Sequence, residues 1–429
     1  MFEHLTEVLT SLPGRVGKSV EETFRSLKER NFRVYNTGMF ISSVGTWMQG
    51  VALAWLVYRL TGSAAALGLV TFASNLPLLL LTFVGGITAD RFDKRKILLV
   101  TNSIAMLQAI VLTILVYSGA ITVGWIIALA VILGCTTAFE VPTRQALVPN
   151  LISDQKYIAN AIGLSSATFH VSRMVGPALG GLLIAGVGEQ LCFAINAFSF
   201  VAALIGVSLI RLPAQVSVPR EKDSTLRAQQ KAEASAKFWA VLKRPGVYTL
   251  LFLAAFVSTF GLQYSVLMPV IADKLLHGES IAFGFLSAAG GVGALVGSLA
   301  VAFMGGKKGL RMRLGIACTV LAAALVLLAI SKVVALSVLA ILVAGTCLSM
   351  HWSGGTTLMQ QCVDPKSRGK LMGVYTTFTL GLAPFTALFA GWTAEQFGVT
   401  TALLISSCGM FIGSLLYIRQ VRKLDDSCA

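Results

Sequence analysis

The chain has 429 residues, of which 55% are hydrophobic and only 12% charged, with a formal net charge of +15. Soluble domains carry roughly 25% charged residues, so this composition and a mean hydropathy of +0.78 exclude an ordinary soluble protein. The apolar residues fall into runs long enough to cross a ~30 Å hydrocarbon core as helices. The positive charge therefore reads as membrane topology, not as a nucleic-acid surface.

Residues 1–35 are charged and lack the apolar core of a secretory signal. Within them, "SVEETFRSLKERNF" has Ser19 and Glu22 at capping-box spacing, with Val20, Phe24 and Leu27 on one face. This predicts a short amphipathic helix on the membrane surface. The stretch "LPGRVGKS" at 12–19 imitates a phosphate-binding loop, but Leu12 stands where the first glycine is required and no strand precedes it.

Twelve spans are predicted, at 36–58, 66–88, 97–118, 122–141, 160–184, 190–210, 247–271, 281–304, 314–330, 335–356, 371–393 and 399–418. They make two six-helix bundles, 36–210 and 247–418, joined by a polar, mostly basic linker, 211–246, and followed by a tail, 419–429. With both termini in the cytoplasm, thirty of the 34 Lys and Arg lie inside and three outside, and the remaining one, Arg173, lies within a span. The positive-inside rule fits that arrangement. Within the linker, 224–243 reads either as a helix lying on anionic headgroups or as a flexible tether.

The halves look alike. Each has a basic, glycine-bearing loop between its second and third spans, "GGITADRFDKRK" at 85–96 and "GGKKGLRMR" at 305–313, and each has a proline within its fifth span, Pro177 and Pro384. Paired repeats of this kind are how secondary transporters build a site near the bilayer midplane.

The 85–96 loop resembles the signature of the major facilitator superfamily, Gly-x-x-x-Asp-Arg-x-Gly-Arg-Arg/Lys. Gly86, Asp90, Arg91 and Arg95 match it, Asp93 stands where glycine is usual, and Lys94 where arginine is usual. The resemblance implies an all-α membrane fold of twelve helices in two pseudo-symmetric halves. It also implies a cytoplasmic latch, in which Asp90 caps the positive N-terminal end of span 11 and Arg91 or Lys94 pairs with Glu140. In span 5, Gly163, Ser172, Gly176-Pro177 and Gly180-Gly181 are similar to the superfamily's exporter motif, with serine replacing one glycine. Small residues there permit close helix approach.

Further phrases, "MFISSVGTWMQGVALAWLVYRLTGS", "FEVPTRQALVPNLI" and "SRMVGPALGG", look like the bacterial branch that includes the enterobactin exporter and macrolide efflux proteins. That branch implies an inner-membrane, monomeric, proton-driven exporter with no cofactor. The cargo would be a small molecule, with a siderophore such as a catecholate favoured over a drug. Multidrug or macrolide efflux is the alternative, and uptake or a non-transporting sensor or scaffold the second.

Arg173 sits about 20 Å from Asn160 and about 17 Å from Ile184 along span 5, near the midplane. A charge there costs at least ~2.5 kcal/mol and faces a cavity or a partner. Three readings stand open: contact with anionic cargo or tuning of a carrier acid, pairing with Glu140, and snorkelling to an interface. Glu140 reads either as a proton carrier or as a structural partner of Lys94, Arg144 or Arg173. Gln49, Gln263 and His351 are the polar candidates for cavity contacts, with Trp47, Trp55, Tyr264 and Trp352 as aromatic neighbours suited to a ring-bearing cargo. The seven cysteines and four histidines show no metal-ligand spacing, so no metal site is expected. No nucleophile–base pair is visible either, which argues against an enzyme.

Overall fold

The computed structural model describes residues 25–210, 241–242, 244–304, 309–362 and 368–422. The predicted capping box at Ser19, nearly all of the linker and most of the C-terminal tail lie outside these. Twelve helices are long and apolar enough to span a membrane. In the first half these are α1 (Arg30–Thr61), α2 (Ala64–Arg91), α3 (Lys94–Tyr117), α4 (Val123–Leu147), α5 (Ile158–Val187) and α6 (Glu189–Ser208). In the second, α7 begins at Pro245–Phe256, passes through a π turn at Val257–Gly261 and continues as Gln263–Val266 and Met268–Val270. Then follow α8 (Glu279–Met304), α9 (Leu310–Ile330) and α10 (Val334–Gln361). Helix α11 runs in two pieces, Arg368–Leu380 and Ala383–Phe397, and α12 spans Val399–Val421.

Most helices outrun the predicted spans by a turn or so. Hydropathy marks only the hydrocarbon-depth segment, whereas the helix continues until its backbone groups find a cap. Ser63 caps α2 by accepting from Ala66 N, Asp93 caps α3 from Arg95 N at 2.8 Å, and Thr122 caps α4 from Trp125 N. Two predicted spans are not single helices. The seventh is interrupted by its π turn, and the eleventh breaks at Gly381, where Pro384 opens the second piece. Pro77, Pro142 and Pro177 sit inside unbroken helices.

The same pairings recur in both halves: α2 with α4 and α8 with α10, α3 with α6 and α9 with α12, α1 with α6 and α7 with α12. The outer surface is apolar, as lipid requires. Phe83, Phe198 and Phe303 are 79%, 77% and 82% exposed. The halves meet mainly through two helix pairs, α5 on α8 and α2 on the second piece of α11. The first piece of α11 packs on α7 and α10 of its own half instead.

Candidate functional site

Helix α5 places the central charge. Its small residues bring it against α1: Ser172 is fully buried and donates to Thr168 O at 2.9 Å and Phe40 O at 3.4 Å. A Cβ on Gly176 would lie 2.5 Å from Trp47 Cβ, and one on Gly180 would lie 3.1 Å from Met48 Cγ. Gly181 faces the other half, where a Cβ would lie 2.6 Å from Gly284 O. Gly163 faces open space. The α5 motif thus lets one helix touch its own bundle and the opposing one.

Clamped this way, α5 aims Arg173 into the seam. Its Cζ lies 5.2 Å from the Trp47 ring centroid of α1 and 3.7 Å from that of Trp352 on α10, so the guanidinium is held between aromatic faces of both halves. Tyr264 of α7 is within electrostatic reach. Arg173 makes no ion pair with another described residue. Glu140 stands instead 3.9 Å from Arg144, one turn along its own helix. A guanidinium stacked on rings keeps its in-plane N–H donors for an acceptor.

The polar candidates are placed differently. Gln49 is 1% exposed and belongs to a network within the first half: it donates to Gln108 Oε1 at 3.3 Å and accepts from Asn196 at 2.8 Å, while Ser199 donates to Asn196 Oδ1 at 3.0 Å. Gln263 holds the corresponding position in the second half. It accepts from Ser406 at 2.5 Å and donates to Thr259 O at 3.0 Å. These amides tie first helix to last helix in each bundle. Gln49→Leu should therefore lower thermal stability by about 1 kcal/mol in detergent unfolding, with the apparent KM for cargo unchanged. A raised KM would mark Gln49 as a cargo contact. His351 is 1% exposed, and neither ring nitrogen has a hydrogen-bond partner among the described residues.

In the 85–96 segment, Gly86 faces open space, and the side chains of Asp90, Arg91 and Lys94 make no hydrogen bond or ion pair to another described residue. Arg95 donates to Val207 O at 3.1 Å and to Ser208 O, pinning α3 to the end of α6. Asp93, at the position where glycine is usual, caps α3.

The far face, opposite the termini, is closed across the halves. Tyr58 donates to Asp273 at 2.6 Å, and Trp55 stacks on Phe283 at 5.2 Å. Glu395, near the end of α11, accepts from Ala64 N at 2.8 Å, Ala65 N at 3.3 Å and Ser63 Oγ at 3.2 Å. A carboxylate from one half thereby caps the positive end of α2 in the other. Gly68 and Gly391 permit this approach: a Cβ on Gly68 would lie 2.5 Å from Ala387 O. Asp273 and Glu395 were not among the candidates from sequence. Both lie just past predicted span ends, where a carboxylate reads as an ordinary loop residue. The usable signal was Ser63, a helix cap facing the same end of the bundle.

Among the described residues no cluster of three or more His, Cys, Asp or Glu could hold a metal ion. The model of the transmembrane secretion effector family matches residues 21–428. The chain belongs to that family, within the major facilitator superfamily.

Its curated relatives are bacterial membrane proteins. The staphyloferrin A transporter of Staphylococcus aureus is 25% identical over 91% of this chain and 96% of that protein. The multidrug efflux pump Tap of Mycobacterium tuberculosis is 26% identical over 90% and 92%. Macrolide efflux protein A of Streptococcus pyogenes is 21% identical over 94% and 99%. Among solved structures, a bacterial homologue of the lysosomal transporter Spinster, inward-facing and unoccupied, superposes with a TM-score of 0.67 at 18% identity, covering 92% of this chain and 96% of that one. The nucleoside transporter NupG superposes at 0.71 with 13% identity, covering 91% and 99%. At that identity the likeness establishes the fold alone. A member of this transmembrane secretion effector family is a multi-pass membrane transporter and not an enzyme.

Proposed function

We propose that this family member is a secondary exporter of small, planar, anionic molecules, working by alternating access and driven by proton antiport. A catecholate siderophore is the favoured cargo. The observation that carries the reading is Arg173, held between Trp47 and Trp352 at the meeting of the halves with no carboxylate among the described residues to neutralise it. A midplane guanidinium between rings offers charge and aromatic contact to the same ligand. The secretion family, the α5 motif and relatives named for efflux support export. The relative named for staphyloferrin A supports a small organic cargo.

We place the termini face in the cytoplasm, on the bias of Lys and Arg. The far-face seal then belongs to the inward-open state, and the Asp90 latch would form only when the cytoplasmic ends close. Glu140 is the candidate proton carrier, with Arg144 as its counter-charge. The chain acts as a monomer in the inner membrane. Inside-out vesicles carrying the protein and given a pH gradient, acid inside, test the reading. They should accumulate 2,3-dihydroxybenzoate and lose the gradient faster while doing so. Accumulation without gradient loss would refute proton coupling, and no accumulation would refute the cargo class. Multidrug efflux is the second reading, favoured by the relatives named Tap and macrolide efflux protein A. It predicts lowered drug resistance on deletion and no change in secreted metabolites.

A further inference from the structure

A second cation lies on the route from the termini face to Arg173. Arg144 of α4 has its Cζ 5.5 Å from the Phe169 ring centroid. Phe169 meets Trp47 edge-to-face at 5.9 Å, and Arg173 Cζ lies 5.2 Å from the Trp47 ring centroid. Arg144, Phe169, Trp47, Arg173 and Trp352 thus form a continuous series of cation and ring contacts, starting in the first half and ending in the second.

The start of this ladder is a shallow open cleft with an accessible volume of about 10 Å³, room for about one water. It is lined by Asn36, Met39 and Ser43 of α1, Arg144 of α4, and Ser165, Thr168 and Phe169 of α5. Ser165, Phe169 and Arg173 are spaced four apart and share one face of α5, which places the pocket about 10 Å from Arg173 along the helix. Asn36 and Thr168 are bonded to each other at 3.0 Å, whereas the Ser43 and Ser165 hydroxyls make no hydrogen bond to another described residue. The Arg144 guanidinium makes no hydrogen bond to a described residue. Its one ion-pair partner there, Glu140, stands at 3.9 Å, beyond hydrogen-bond reach.

We propose that this pocket is a staging subsite for the anionic end of a planar aromatic ligand. The inference rests on the reading of Arg173 as the central anion site. A carboxylate or phenolate entering from the termini side meets the free N–H donors of Arg144 and displaces the distant Glu140. Its ring lies against Phe169, with Ser43 and Ser165 supplying hydroxyl contacts. Passage to Arg173 then exchanges one arginine for another along a continuous aromatic wall, so the anion is never left without a counter-charge. Glu140 sets the strength of the subsite by competing for the same guanidinium.

The test uses purified full-length protein in liposomes, oriented with the termini face outward, and 2,3-dihydroxybenzoate as probe. Arg144→Ala should raise the apparent KM for counterflow, measured with no pH gradient, about tenfold, the loss of roughly one charge-assisted contact. Arg144→Lys should recover part of the affinity. Glu140→Gln, which keeps Arg144 and its fold, should lower the KM for counterflow with no pH gradient several-fold by removing the competitor. Neutral catechol should show neither change. If KM is indifferent to all three variants while Arg173→Ala abolishes transport, the subsite is refuted and the central reading stands. If Arg173→Ala is also silent, or wild type shows no saturable transport of the probe, both fall. An Arg144→Ala protein that fails to fold leaves the decision to Glu140→Gln, whose unchanged or raised KM would overturn the proposal.

Discussion

Arg173→Ala should lower export of an anionic aromatic cargo by at least about tenfold while the protein still inserts and folds. The magnitude follows from one charge-assisted interaction, about 1.5–3 kcal/mol, at about 1.4 kcal/mol per tenfold. Folding should survive because no carboxylate among the described residues is orphaned when the guanidinium goes: its ring neighbours are Trp47 and Trp352, which can close on the space. Arg173→Lys should fall between the two, since it keeps the charge but loses the flat surface that both indoles contact. Initial rates in inside-out vesicles, with expression matched by quantitative blotting, provide the measurement. Normal flux in the alanine variant would remove Arg173 from both cargo binding and coupling.

Gly181→Leu stalls the cycle from a different position. A Cβ at 181 would lie 2.6 Å from Gly284 O and 2.7 Å from Gly284 Cα, both backbone atoms of the opposing half. Backbone cannot step aside as a side-chain tip does, so the α5–α8 seam must open. Overpacking of this kind costs about 1–3 kcal/mol, which moves a two-state equilibrium roughly 5- to 150-fold toward the far-face-open form. Transport should fall by about tenfold or more, because the inward-open state is scarce. The readout is labelling of a cysteine at the buried far end of α2, Leu67→Cys, by an impermeant maleimide applied from the far side. Labelling should accelerate in Gly181→Leu and, to a lesser extent, in Glu395→Gln, which weakens the cap on α2. Gly186→Ala, whose Cβ would meet nothing, is the silent control.

The membrane fold was legible because bilayer thickness imposes it: a run of about 20 apolar residues has few structures open to it in lipid. The twelve spans and their division into two repeats therefore follow from hydropathy and loop charge. The interruptions in α7 and α11 were not legible, since hydropathy is blind to whether an apolar backbone stays α-helical through a π turn or a Gly381 break.

At the site, composition could single out Arg173 and its aromatic neighbours, because a lone charge in an apolar run is conspicuous. It could not say which ring Arg173 meets, as Trp352 lies 179 positions away in the other half. Gln49 illustrates the limit from the other direction: a polar residue in a cavity-lining helix can equally bind its own bundle, and its bonds to Gln108 and Asn196 do so. The outer carboxylates were the least visible. Glu395 acts on backbone N–H groups of α2, and backbone partners leave no trace in side-chain patterns.

The most direct measurement is mass spectrometry of medium and cells under iron starvation, comparing the parent bacterium with a deletion strain and with deletion strains complemented by wild-type protein or by Arg173→Ala. The account predicts that a catecholate leaves the medium and accumulates in deleted cells, and that wild-type protein, but not the alanine variant, restores secretion. An unchanged medium on deletion, or full restoration by Arg173→Ala, would contradict it.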